Sequence, residues 1–111
     1  MTNNALQSMV ISGYKLKVEQ TLVSVRIDNE ANRNINFKAE VRNCLTLFLD
    51  NRWGSVAQPD VKRNQEAVRT GRDRILGKYG TKQGYIYIIA DRERKSAKVI
   101  FAKEATTEDL M

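Results

Sequence analysis

The stretch RILGKYGTKQGYIYIIADRERKSAKVIFA, residues 74–102, decides the fold. Its centre, Tyr85-Ile86-Tyr87-Ile88-Ile89, is apolar at every position, as a central strand must be when both of its faces are covered. Turn signals flank that centre, Gly80-Thr81-Lys82-Gln83-Gly84 before it and the charged run Asp91 to Ser96 after it. The pattern predicts three strands, Arg74 to Tyr79, Tyr85 to Ala90 and Ala97 to Ala102, joined as an antiparallel meander. The last of these is expected at an edge, where it could pair two copies of the chain.

Upstream of the meander the period changes. Pro59-Asp60 opens a helix with Asp60 as its expected N-cap, and that helix stops at Gly71. Its apolar stripe (Val61, Ala67, Val68) is thin, which predicts a surface helix. Phe37, Val41, Cys44, Leu45 and Phe48 recur at helical spacing, with Lys38, Glu40, Arg42 and Asn43 opposite them. Between the two helices lies Arg52-Trp53-Gly54, where Gly54 can supply a positive φ. Asp28 to Asn36, rich in Asn and charge, reads as a loop. Tyr14 to Asp28 alternates well enough to predict one bent strand or a short strand pair. Residues 1–8 and 105–111 read as frayed polar tails. The expected architecture is therefore a single α+β domain over residues 1–111. Two helices pack on one face of a three-stranded antiparallel meander, with an additional N-terminal strand or strand pair.

Composition removes several function classes. No apolar run approaches the ~20 residues that a membrane helix needs, so no membrane partner is expected. Cys44 is the only cysteine, which excludes an intramolecular disulfide and suits a reducing cytoplasm. Histidine is absent, which removes Ser-His-Asp and Cys-His catalysis and every zinc site of the cysteine–histidine type. No cofactor and no metal are expected.

Charge is the strongest functional signal. Between Lys62 and Lys103 stand twelve Lys or Arg against four acidic residues, Glu66, Asp73, Asp91 and Glu93, so this part carries the whole excess of +6. A concentrated positive field attracts polyanions and acidic protein surfaces. If the second helix packs near the last hairpin, Lys62, Arg63, Arg69, Arg72, Arg92, Arg94 and Lys95 share one surface able to track a phosphate backbone. The same residues would otherwise be a wet helix face and a turn guarding a strand edge. Arg52 and Trp53 form a candidate anchor, although a lone Trp between helices more often plugs a core, with its indole N–H bonded to a loop carbonyl. Tyr79, Tyr85 and Tyr87 invite comparison with sheet platforms that stack bases, but core packing with hydroxyls at the sheet margin is the simpler account. Asp60, Asp91, Glu93 and Lys95 imitate the carboxylate-plus-lysine set of metal-dependent nucleases, which makes such an enzyme the alternative reading.

The pattern Asp50, Trp53-Gly54, Asp60, Asn64, Ala67, Gly71, Arg74, Leu76, Tyr79, Thr81, Gly84, Ile88-Ile89, Asp91 and Glu93-Arg94 resembles a family of small proteins carried by plasmids, phages and other mobile elements of bacteria. The likeness covers about residues 45–104, and the chain departs from it at Asn51-Arg52, Ala102 and Ala105. The resemblance implies a shared fold and a bacterial mobile-element setting, and it transfers no catalytic residue. Taken with the charge, it leads to the expectation of a non-catalytic binding protein of the host cytoplasm. Its basic face would engage nucleic acid, a host nucleoprotein or another acidic protein surface. One concrete form is an anti-defence inhibitor of the kind that small anti-CRISPR proteins exemplify.

Overall fold

In the computed structural model, which describes residues 15–111, the 74–102 stretch forms the expected meander. Strands β2 (Ile75–Thr81), β3 (Gly84–Ala90) and β4 (Ser96–Phe101) pair antiparallel in sequence order. A fourth strand, β1 (Gln20–Val23), pairs parallel with β4, which gives the order β1-β4-β3-β2. The last strand of the meander is therefore interior, and the expected dimer-forming edge is occupied by β1 along Ser96 to Val99.

The N-terminal third departs from expectation. One short strand replaces the bent strand or strand pair, and the part of that reading at Tyr14 lies outside the described residues, as does the tail at residues 1–8. From Val25 the chain is helical: α1 (Val25–Arg33) and α2 (Ile35–Leu49) occupy the segment that reads as a loop. Local chemistry explains this. Ser24 caps α1 by accepting from the Ile27 amide, and Ile27 and Ala31, one turn apart, are buried. The Asn34 carboxamide accepts from the amides of Asn36 and Phe37, both at 3.1 Å, and starts α2. The Asn-rich segment is thus two helices with a capping residue between them.

The two helices on the sheet face are α1 and α2. Their residues Ile27, Ala31, Phe37, Val41, Leu45 and Phe48 join Ile75, Tyr79, Ile86, Ile88, Val99 and Phe101 in one core. Phe37 stacks on Phe101, with ring centroids 5.6 Å apart, and ties α2 to β4. The third helix, α3 (Gln58–Thr70), lies against β2, with Asn64 and Ala67 as its buried residues. Its N-cap is Ala57, not Asp60; Asp60 sits in the first turn and pairs with Arg74 at 3.0 Å.

Strand β2 is an edge whose outward groups at Leu76 and Lys78 are engaged. The Asn64 carboxamide donates to the Leu76 carbonyl at 2.8 Å and accepts from the Leu76 amide at 3.0 Å, as a neighbouring strand would. Two residues on, the Lys78 amide donates to the Trp53 carbonyl and the Lys78 carbonyl accepts from Ser55. Gly54 lies so close to this edge that a Cβ there would stand 2.0 Å from the Lys78 carbonyl oxygen, and its φ is +72°. Gly77 is likewise obligatory, because a Cβ would meet the Tyr79 hydroxyl at 2.6 Å and Phe48 at 2.9 Å.

The opposite sheet face carries a smaller cluster of Leu76, Ile89 and Ile100. The segment read as a C-terminal tail covers it. A short helix, α4 (Thr107–Leu110), is opened by a reciprocal Thr106–Asp109 capping box, and Ala105 and Leu110 pack on the cluster. Asp109 also pairs with Lys98 on β4.

Replacing Asn64 by Leu leaves both the Leu76 amide and carbonyl buried without partners, at about 1–3 kcal/mol for each group. Urea denaturation of Asn64→Leu is expected to show a loss of about 2–5 kcal/mol; an unchanged midpoint would mean that the carboxamide bridge contributes nothing.

Candidate nucleic-acid interface

The turn between α3 and β2 meets the β3–β4 hairpin at Asp73. Its carboxylate accepts from Arg63 through two bonds, Nε at 2.7 Å and Nη2 at 3.0 Å, and from the Arg74 amide at 2.8 Å. Arg92 approaches the same carboxylate at 4.0 Å. The Arg63 bond is the chief reason that the Asp73 carboxyl is held well below the usual carboxylate range.

Arg94 reaches this hub in a different way. Its guanidinium donates to three backbone carbonyls, Asp73 at 2.6 Å, Asp91 at 2.8 Å and Ala67 at 3.2 Å, and burial lowers its pKa. It therefore stitches α3, the following turn and the hairpin together. Asp73 and Arg94 both hold left-handed backbone, with φ of 72° and 60°. For residues other than glycine this conformation is costly, and the hub's hydrogen bonds hold it in place.

Of the seven basic residues read from the sequence, Arg63, Arg92 and Arg94 converge on Asp73. Arg72 precedes Asp73 in the turn, and Lys62 precedes Arg63 on α3; both are exposed, without an ion pair among the described residues. Arg69 is paired with Glu66 one turn earlier, and Lys95 with Glu93 at 3.1 Å. Arg69 and Lys95 thus spend their charge locally, and Arg94 is a structural clamp. Arg74, from the same basic half, is buried and bonded to Asp60, Asn64 and the Leu110 carbonyl.

The candidate anchor divides. The Arg52 side chain is exposed and pairs with Asp50 at 3.1 Å, while Trp53 packs half-buried against the main core. The indole N–H is buried without a hydrogen-bond partner among the described residues, so the expected bond to a loop carbonyl is absent. A tyrosine fastens this loop instead: the Tyr79 hydroxyl donates to the Arg52 carbonyl at 2.7 Å. Tyr79 is buried and its hydroxyl pKa is raised by that burial, whereas Tyr85 is 52% exposed and Tyr87 is intermediate. Cys44 is buried on α2, where desolvation pushes its thiol up to about 11, so it is a core residue and not a reactive one.

Of the nuclease-like set, Asp60 lies apart on α3 while Asp91, Glu93 and Lys95 share the β3–β4 turn. Asp60 pairs with Arg74, Asp91 accepts from the Lys95 amide and the Ser96 hydroxyl, and Glu93 pairs with Lys95. Among the described residues no three His, Cys, Asp or Glu side chains come together as metal ligands. No helix there is long and apolar enough to cross a membrane.

Sequence reasoning missed one basic surface altogether. Arg26 and Arg33 on α1 face Lys103 beyond β4 across an open cleft of about 330 Å³. Three of its lining residues, Asn29, Glu30 and Arg33, come from the segment read as a loop, and the helical spacing of Ile27 and Ala31 with the caps at Ser24 and Asn34 could have signalled it. Comparison with known proteins gives no further guidance, since no family model, curated protein or solved structure matches this chain.

Because the folded-state pKa of Asp73 is depressed, its stabilisation is present above the unfolded value of about 4 and fades as pH falls below it. Asp73→Asn is expected to lower stability by about 1 kcal/mol at neutral pH, a value discounted for a partly exposed pair. The gap between variant and parent should close on acidification below about pH 4, as read by denaturant titration. A gap independent of pH would show that the carboxylate charge is not involved.

Proposed function

We propose that the chain is a small non-catalytic binding protein of a bacterial mobile genetic element that engages nucleic acid, free or in a host nucleoprotein, through a basic face. The supporting observation is the hub at Asp73. The Asp73 carboxylate there faces the guanidiniums of Arg63 and Arg92, its backbone carbonyl accepts from Arg94, and Lys62 and Arg72 are exposed nearby in the chain. The arrangement keeps a positive excess on a scaffold fastened by Arg63 and Arg94, and clustered exposed cations displace counterions on meeting a phosphate backbone. Arg92 and Arg72 are the exposed contacts, Lys62 adds charge from α3, and Arg94 holds the hairpin in position.

The mobile-element setting and a cytoplasmic location rest on the resemblance of residues 45–104 and on a lone cysteine held as a buried thiol. In that setting the concrete role is anti-defence: occupying a host nuclease or its nucleic acid, as anti-CRISPR proteins do.

Fluorescence anisotropy with labelled oligonucleotides, read across a salt series, tests the proposal. Affinity is expected to fall steeply with salt, and Lys62→Glu/Arg92→Glu to weaken binding about 10-fold or more while reducing the salt slope by about two. Arg94 is unsuited to this test because its loss would unfasten the hairpin. Absence of any oligonucleotide binding at low salt would overturn the reading.

A further inference from the structure

The cleft between α1 and the end of β4 does not stop at Lys103. A second hollow of about 240 Å³, lined by Gln83, Gly84, Tyr85, Phe101, Ala102 and Lys103, continues it along the β2–β3 turn. Gln83, Phe101 and Lys103 line both hollows, so the two form one groove running from α1 to the Tyr85 ring.

Its chemistry is polarised. At the α1 end Arg26, Arg33 and Lys103 meet a single carboxylate, Glu30, which is bonded to Arg33 at 2.8 Å. Arg26 and Lys103 carry no ion pair among the described residues, and the Lys103 ammonium stands 5.4 Å from the Phe101 ring centroid. The neighbouring carboxylate of Glu104 is turned away, accepting from the Ser24 hydroxyl at 2.6 Å and the Phe101 amide at 2.8 Å. At the other end the Tyr85 ring is 52% exposed, with the Lys78 ammonium 4.6 Å from its centroid.

We infer that this groove binds a single-stranded nucleic-acid segment, with phosphates on Arg26, Arg33 and Lys103 and a base stacked on Tyr85. An exposed aromatic ring beside unpaired cations suits a ligand that is anionic along one edge and flat along the other. The combined hollow has the size of small-ligand sites and admits a nucleotide unit. A duplex hides its base faces and could use only the cations, so Tyr85 makes the site selective for single strands. The inference rests on the polyanion reading but lies at the other end of β3 from Asp73, about 20 Å away for a seven-residue strand. The two sites can therefore be tested separately.

The experiment measures anisotropy of a labelled oligothymidylate, alone and annealed to its complement, against the full chain and four variants. Tyr85→Ala is expected to weaken single-strand binding about 10-fold and duplex binding hardly at all, while Tyr85→Phe keeps the affinity. Arg26→Glu/Lys103→Glu should lose about 10-fold or more and lower the salt slope by about two. Thermal melting by circular dichroism verifies that each variant is folded. If Tyr85→Ala and Arg26→Glu/Lys103→Glu both bind like the parent while Lys62→Glu/Arg92→Glu fails, the groove is overturned and the Asp73 surface stands. If the parent binds no oligonucleotide, both proposals fall, and an acidic protein becomes the partner to seek.

Discussion

A strand at the edge of a sheet must place its outward amides and carbonyls somewhere, and the arrangement of this protein turns on how β2 does so. Leu76 is served by one side chain, the carboxamide of Asn64, and Lys78 by the backbone of Trp53 and Ser55. These contacts fix two things at once. Asn64 holds α3 alongside the sheet edge, and the Trp53–Ser55 segment requires glycine at position 54, since any Cβ would collide with the strand. With α3 held there, its Arg63 can reach Asp73 and its Ala67 carbonyl can receive Arg94. Sealing the edge also removes a template for unwanted pairing, while the short β1 closes the other side of the meander.

The basic half of the chain shows why a count of charges is a poor measure of available charge. Guanidinium groups are versatile donors, and the fold uses several of them as internal fasteners. Arg74 is buried against Asp60, Arg94 satisfies three carbonyls, and Arg63 is bonded to Asp73. The cations that remain exposed without an ion pair among the described residues include Lys62 and Arg72 near the hub, and Arg26 and Lys103 in the groove. The groove draws cations from both halves of the chain, Arg26 and Arg33 from the first and Lys103 from the second. Its positive character is therefore a product of folding, with β1 and α1 brought against β4.

The two faces of the sheet divide the tyrosines in the same way. Alternation along β2 and β3 sends Tyr79 into the core and Tyr85 outward, and register places Gly80 opposite Tyr85, so the directly paired residue contributes no side chain over the ring. The second face is apolar but not bare, since the last residues fold back and set Ala105 and Leu110 on Leu76, Ile89 and Ile100. Lys98–Asp109 and Arg74 on the Leu110 carbonyl hold that cover in place.

The amino-acid sequence by itself determined the meander, the amphipathic α2, the end of α3 at Gly71 and the α+β class. Each of these follows from local periodicity and turn residues, which act over a few positions. It also contained the caps at Ser24, Asn34 and Thr106, whose single-residue signals were outweighed by a weak strand-like alternation and a polar composition. Only the tertiary structure decided the parallel seat of β1, the place of α3 beside an edge, and which cations are paired. Those outcomes depend on contacts between residues far apart in the chain: Arg63 with Asp73, Arg94 with Ala67, and Arg26 across the cleft from Lys103. No local pattern encodes whether a guanidinium will meet a carboxylate, a carbonyl or water.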